Sequence, residues 1–461
     1  MAATSILWFR RDLRMQDNAA LEWACENSSA VIPVYIYSAD EEQPWAPGAA
    51  SRWWLHHSLL SLQSRLAGRR LKLYYFSGSS EAVIEKIIAE TGANRLVYNR
   101  VYERQLYERD LRLEKNLKNS IDIVAFDSGL LFSPGTVLNS QQLPYRVFTP
   151  FYNKLRPQLS ELHAYQSAET NDDALKALEN KPVSSALSLQ SLQLLDEHGW
   201  HEKLGLHWRP GEDEAHRLLD VFLEEAVQHY ATQRDIPSLE GTSRLSPYLH
   251  FGEITPQQVC LAVWPLLEGE QGASASRSAE VFVKQLIWRE FAHNVLWHFP
   301  ETATLPMDRR YRKDFWRSDI DDFNSWTKGE TGVPIIDAGM KQLWETGWMH
   351  NRVRMIVSSF LTKNLGINWL HGARWFWDTL VDADLANNSL GWQWVAGCGV
   401  DAAPYYRVFN PETQTRRFDS ELRYVEKWLP EHAQLDYPSP MVDLGVSRED
   451  ALHRYKQHIR V

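Results

Sequence analysis

Over its first 130 residues the chain alternates between two hydrophobic periods. Apolar runs rich in β-branched and aromatic side chains fall at 6–9, 31–37, 71–76, 95–98 and 121–126, each of strand length. The intervening stretches 18–25, 51–66, 80–91 and 102–119 space their apolar positions as helices do. Strand and helix in alternation predict an α/β domain over residues 1–130, built on a doubly wound, five-stranded parallel sheet. A ligand of such a sheet sits at the carboxyl ends of the strands, near the reversal of strand order. After the first strand stands FRRDLRMQDN, with neither GxGxxG nor a P-loop, so a dinucleotide or P-loop reading is disfavoured.

Residues 131–208 are less regular and read as an interdomain connector. Within them, 166–193 is rich in Ser, Ala, Asn, Asp and Glu and predicts a surface crossing. From Glu212 onward helix follows helix, punctuated by Gly241, Pro247, Gly252, Pro256, Gly332, Pro334, Gly366 and Gly391. Residues 209–461 are therefore expected to form an all-α C-terminal domain.

Composition narrows the class. The 461 residues are 44% hydrophobic and 23% charged, values ordinary for a soluble protein of more than one domain. The formal charge of −10 excludes a global positive field, so any nucleic acid must be held by a local patch. Three scattered cysteines (Cys25, Cys260, Cys398) make neither a disulfide framework nor a CxxC metal site and suit a reducing cytoplasm. No run of 18 apolar residues suggests a membrane span, and the N-terminus lacks a signal-peptide core. Twenty tryptophans against seven methionines exceed what packing alone needs, and most fall in the C-terminal half.

Four segments carry candidate chemistry. GTSRLSPYLH (241–250) offers hydroxyls, an Arg and a helix-starting Pro suited to a phosphate, but read alone it is an ordinary N-cap, with Ser246 before Pro247. FVKQLIWREFA (282–292) puts Gln285, Trp288, Arg289 and Ala292 on one helical stripe, able to stack a ring or simply to pack. WMHNRVRM (348–355) places Asn351 and Met355 at i,i+4 and leaves Arg354 free to pair with a distant carboxylate; its bland reading is a solvated basic helix start. DADLANN (382–388), followed by LGWQW, gathers two acids and two amides. It lacks the further oxygen ligands of a metal site, so no metal is expected, and it suits the polar edge of a heterocycle equally well.

Taken together and in order, FRRDLRMQDN, GTSRLSPYLHFG, LIWREF, GVPIIDAGMKQLWETGWMHNRVRM and DADLANNSLGWQWVAGCGVDAAPYYRVFNP resemble the photolyase/cryptochrome flavoprotein family from about residue 5 to about residue 437. The resemblance implies an α/β domain that often carries a light-harvesting pigment and a helical domain that holds FAD. Tyr230, Thr242, Ser243, Arg244, Leu245 and Ser246 would hold the phosphates and ribitol. Arg289, Arg354, Asp382, Ala383, Asp384 and Asn388 would surround the flavin, with Arg354 paired to Asp382 and Asn388 against N5. Asparagine at 388 resembles the repair enzymes, whereas plant cryptochromes place Asp there and animal ones usually Cys. Trp392, Trp369 and Trp316 match the three tryptophans that relay an electron from the surface to the flavin.

The same resemblance implies a substrate. Trp288 and Trp394 resemble the aromatic walls around a flipped-out cyclobutane pyrimidine dimer, and Asn351 and Met355 match the dimer-repair branch. The (6-4)-photoproduct branch has histidine at both positions. Arg234, Arg289, Arg352 and Gln414 resemble DNA contacts, and a few such phosphate contacts suffice despite the acidic total. Gln285 departs from the pattern, since many dimer-specific members carry Glu there. The expected protein is thus a cytoplasmic, monomeric, FAD-dependent photolyase acting on UV-damaged DNA without an obligate protein partner; the alternative is a cryptochrome-type blue-light photoreceptor. For the antenna, Leu106 replaces an acid, and no Lys precedes Trp316 at the matching spacing. The segment 48–60 resembles plant-cryptochrome-like and class III members, which favours methenyltetrahydrofolate over 8-hydroxydeazaflavin.

Overall fold

A computed structural model describes residues 3–162, 172–195, 199–269, 272–311, 313–402 and 406–459. The five expected strands form a parallel sheet: β1 (Thr4–Phe9), β2 (Ala30–Tyr37), β3 (Tyr74–Ser77), β4 (Arg95–Asn99) and β5 (Asp122–Phe126), in the order β3-β2-β1-β4-β5. Between them run α1 (Ala19–Asn27), α2 (Ala49–Ala67), α3 (Ser80–Thr91) and α4 (Arg104–Leu117). Every residue of β1 is buried because both faces of the sheet are covered. Ile6 and Trp8 pack with Ile84 and Leu113 of α3 and α4, whereas Leu7 and Phe9 pack with Leu21 of α1 and Trp54 of α2.

The sheet is larger than the sequence pattern suggests. Glu179–Asn180 forms a short sixth strand, β6, parallel to Ala30 and Val31 of β2. Along β2, strand β3 pairs with Val34–Tyr37, so β6 takes the part of that edge which β3 leaves open. This explains why 71–73, apolar and expected to be strand, is not: the backbone groups it would need are already paired. The connector is therefore stitched into the sheet where it was expected only to cross the surface, although residues 166–171 of that stretch lie outside the described ones. Its polar Glu-Asn pair carries no alternation by which a strand could be read.

Beyond Glu212 the described residues are helical, organised around the 26-residue helix Ala273–His298. The two parts share one hydrophobic core. The Trp54 ring of α2 meets Tyr248 and Trp208 edge-on at 4.9 and 5.5 Å, and its Nε1 donates to buried Glu253 at 3.0 Å. Among the described residues no helix is long and apolar enough to cross a membrane.

The crevice at the strand-order reversal is filled by the chain itself. The Arg10 guanidinium lies 4.7 Å over Trp8 and 4.5 Å over Tyr98 and pairs with buried Asp110 at 2.5 Å; Arg109 covers Trp8 from 4.9 Å.

Candidate functional site

Two helices supply most of the site. In Asn351–Ser359, the i, i+3, i+4, i+7 stripe Asn351, Arg354, Met355 and Ser358 faces a cavity of about 210 Å³. From Leu385–Ala396, the matching stripe Asn388, Gly391, Trp392 and Val395 faces the same space. Each helix has a side-chain cap at its start. His350 accepts from the Arg352 N–H (3.2 Å), and Asp384 accepts from the Asn387 N–H (2.8 Å). Burial holds His350 down at about 4, so its imidazole is neutral and free to accept. Asn388 donates to the Ala373 carbonyl at 2.9 Å, and the Asn351 amide points toward the Met355 sulfur, 3.9 Å away. A side chain at Gly391 would meet nothing within 4 Å, so the cavity has room there.

The two acids are used differently. One Asp382 oxygen accepts from Arg354 (2.9 Å) and from the Ser246 hydroxyl (2.6 Å); its other oxygen is buried without a hydrogen-bond partner among the described residues. This corrects the N-cap reading of Ser246. The helix Ser246–Phe251 has no side-chain cap, because its N-cap position falls on Leu245, which carries no acceptor, and the Ser246 hydroxyl donates to a carboxylate 136 residues away. Asp384 is fully engaged: beyond its cap, its second oxygen lies 3.4 Å from His293 Nε2 and 3.5 Å from His250 Nδ1. Burial opposes the charge, yet the two histidines outweigh it and hold the carboxyl well below the usual range. His293 is desolvated as well, and Asp384 still raises its pKa. Among the described residues no group of three or more His, Cys, Asp or Glu side chains is arranged to hold a metal ion, the Asp384–His250–His293 cluster included.

The 241–246 loop forms a cradle. Arg244 sits at φ 53°, and Gly241 lies so close to Gln233 that a Cβ there would come within 3.0 Å. The Arg244 guanidinium stacks over Trp208 at 4.2 Å, and its buried Nε lacks a partner among the described residues. Leu245 is buried, Ser243 turns back toward the Leu245 N–H (3.4 Å), and Thr242 is half-buried. Tyr230 packs edge-on against Phe282, with Arg234 over its ring. Ala383 lines the cavity beside Asp382.

Trp392 is 2% and Trp369 1% exposed, while Trp316 is half-buried against Tyr311 and Phe315. Trp392 lies against Gly372 of the Trp369–Thr379 helix, and the Arg317–Ile367 bridge brings the Trp316 segment beside the start of that helix. Of the three, Trp392 lines the cavity and Trp316 is the partly exposed one. Arg352 and Arg234 converge on Asp235 (2.9 and 3.8 Å), and Gln414 keeps a buried oxygen with no partner among the described residues. Arg289 does not line the cavity: it donates to the Gly129 and Leu249 carbonyls, one in each domain. Gln285 donates to Val281 on its own helix (2.8 Å). Sequence reasoning missed His250, His293 and Trp348. The available signals were a histidine closing the 241–250 motif, one four residues after Arg289, and a Trp opening WMHNRVRM beneath the Arg244 and Arg354 guanidinium groups.

Comparison with known proteins gives consistent matches. A family model described as the FAD binding domain of DNA photolyase matches residues 282–436, and one described as DNA photolyase matches 5–171. The deoxyribodipyrimidine photo-lyase of Agrobacterium fabrum is 40% identical, over 98% of this chain and 98% of its own. Cryptochrome-2 of Arabidopsis thaliana is 33% identical over 97% of this chain and 78% of its own. The crystal structure of a bacterial class III photolyase from Agrobacterium tumefaciens superposes with a TM-score of 0.91 at 38% identity, covering 100% of this chain and 98% of that one.

Proposed function

Because the chain belongs to the DNA photolyase family, we propose that it is a deoxyribodipyrimidine photo-lyase that uses light to split cyclobutane pyrimidine dimers in UV-damaged DNA, working as a cytoplasmic monomer. The observation that carries this reading is one cavity in which Asn388, Asn351 and Met355 meet the Arg354–Asp382 pair. FAD fits the residues present. The unpartnered Asp382 oxygen is an acceptor for a ring N–H, while unpartnered Arg244 Nε and the hydroxyls of the 241–246 cradle suit phosphate and ribityl groups. When bound, FAD supplies the photoexcited electron that reaches the dimer.

The protein's part is positioning. Arg354 and Ser246 fix the orientation of Asp382, which would face the flavin's polar edge, and Asn388 would present an amide that hydrogen-bonds without changing charge. Trp392, Trp369 and Trp316 let a hole move outward while the reduced state is restored. Trp288 and Trp394 wall an extruded dimer, whose weakened stacking makes it cheaper to flip than an intact step. Arg234, Arg352 and Gln414 lie near one another's segments as contacts for the flanking backbone. For the antenna we favour methenyltetrahydrofolate in the cavity of about 360 Å³ lined by Trp45, Trp377, Glu42, Leu106, Leu296 and Pro300. An 8-hydroxydeazaflavin at the strand-order reversal is disfavoured by Arg10 and Arg109, which already fill that crevice.

One observation favours the photoreceptor reading: the Gln285 amide is spent on its own helix, leaving no donor aimed at a dimer carbonyl. Blue light on the reduced protein mixed with dimer-containing duplex separates the two. Repair predicts falling dimer content; constant dimer content would sink the repair reading and leave the photoreceptor.

A further inference from the structure

Trp288 and Trp394 stand on different helices, yet a segment outside both ties them together. The Trp288 indole stacks face to face on the Phe148 ring, with centroids 3.7 Å apart and planes 6° from parallel, and Phe291 meets it edge-on. Phe148 opens the helix Phe148–Leu155, which belongs to the connector rather than to the main helical array. Its backbone N–H donates to Asp401 Oδ1 at 3.3 Å. The Asp401 N–H in turn donates to the Arg146 carbonyl at 3.1 Å, and the Asp401 carbonyl accepts from Trp394 Nε1 at 3.0 Å. Asp401 makes these three contacts with φ at 52°, a region that non-glycine residues enter only when their surroundings hold them there. Its carboxylate is partly buried, which strengthens its hold on the Phe148 N–H.

We propose that Phe148 and Asp401 are positioning residues for lesion recognition: together they fix the spacing and tilt of the Trp288 and Trp394 rings, and so set the width of the slot that two fused pyrimidines enter. Phe148 is 8% exposed and cannot itself meet a nucleotide, so it acts through Trp288 by covering one indole face and blocking rotation of the ring. Asp401 acts through both walls, seating Phe148 with its side chain and Trp394 with its carbonyl. Walls fixed before binding save the ordering cost that loose rings would impose on each encounter. An intact duplex never enters the slot and gains nothing from the arrangement.

The inference rests on the proposed repair activity, and its test keeps the two apart. The FAD-loaded full chain is titrated with a duplex carrying a single thymine cyclobutane dimer and with the same duplex undamaged. Phe148→Leu and Asp401→Gly, the latter compatible with the left-handed φ but lacking the carboxylate, are expected to lower the damaged-to-undamaged affinity ratio by about five- to tenfold. Undamaged binding and flavin absorbance stay unchanged. Phe148→Tyr and Asp401→Asn, which keep the ring and the acceptor, retain the wild-type ratio. A wild-type ratio in Phe148→Leu and Asp401→Gly, or an equal loss on both duplexes, would overturn the assignment. Should Phe148→Leu lose its flavin, the two Asp401 variants decide the question by themselves. A wild-type protein that fails to discriminate at all would sink the repair reading instead.

Discussion

A methyl group at Gly372 tests how tightly the innermost tryptophan is held. A Cβ there would lie 2.1 Å from Cη2 and 2.5 Å from Cζ3 of Trp392, and 2.7 Å from a Leu361 methyl. Carbon atoms settle at about 3.5 Å or more, so the indole would have to retreat by roughly 1.4 Å. Phe376 edge-on at 5.0 Å and Trp326 at 6.1 Å hem it in, so the ring gives toward the cavity it borders. Overpacking of this kind costs about 1–3 kcal/mol, and the displaced ring is one that lines the cavity. Gly372→Ala should therefore lower the melting temperature by about 1–3 °C and slow flavin photoreduction under blue light with an external reductant. The clashing atoms belong to the outer ring of the indole, so Trp392→Phe makes room. The double variant should recover the lost stability, with a coupling of about 1–3 kcal/mol, while photoreduction stays absent because phenylalanine is a poor electron donor. Calorimetry of the four proteins, with flavin bleaching as the second readout, decides the matter. Gly372→Ala melting like the wild type, or two substitutions that simply add, would refute the reasoning.

Other perturbations test other parts of the structure. Trp316→Phe should cut the photoreduction rate severalfold while leaving dimer splitting by chemically reduced protein intact; flash spectroscopy showing an unchanged radical lifetime would count against the outward series. Burial pushes the Glu253 carboxyl up to about 8, against about 4.3 in an unfolded chain, so between those values the unfolded chain sheds a proton that the folded one keeps. Stability falls as pH rises through that window. Glu253→Gln, which can still accept from Trp54, should gain on the order of a few kcal/mol at pH 8 and almost nothing at pH 4; a pH-independent difference would contradict this. Gln285→Glu removes the donor to the Val281 carbonyl and frees the side chain to turn outward. Repair yield per photon should then rise with dimer affinity within about threefold of wild type, and a yield that stays level or drops would show that the amide was not limiting.

What could be read from the chain depends on how far apart the cooperating residues stand. The parallel sheet was legible because burial on both faces turns 6–9 and 31–37 into unbroken apolar runs, whereas β6 was not, being two polar residues that borrow an open edge. The cavity stripes were legible at i,i+4 as Asn351 with Met355, a spacing intrinsic to one helix. Ser246 with Asp382, and Asp384 with His250 and His293, join residues 91 to 136 positions apart, for which local pattern gives no warning. Family resemblance supplied Arg354 as the partner of Asp382, but nothing near Phe148 or Asp401 hinted that they meet. Arg289 shows the opposite failure: its stripe was read correctly, yet a long side chain on the right face can still turn to carbonyls elsewhere.

These contacts divide the site by charge. The cavity-lining Asn351, Met355 and Asn388 have no proton to lose near neutral pH. The acids and bases around them are committed elsewhere: Asp382 to Arg354 and Ser246, Asp384 to two histidines, and His350 neutral as a helix cap. A cavity built for acid–base chemistry does the reverse, leaving a carboxyl or imidazole poised near the working pH and aimed at the reacting atoms. Splitting a cyclobutane ring by adding and then recovering one electron needs no such group. It needs a potential that does not drift with pH while charge is in transit, and pairing Asp382 with Arg354 and Asp384 with two histidines serves that. Histidines at 351 and 355 would undo the arrangement by introducing two protons of variable occupancy, so the choice of Asn and Met and the pairing of Asp382 and Asp384 serve the same physical requirement.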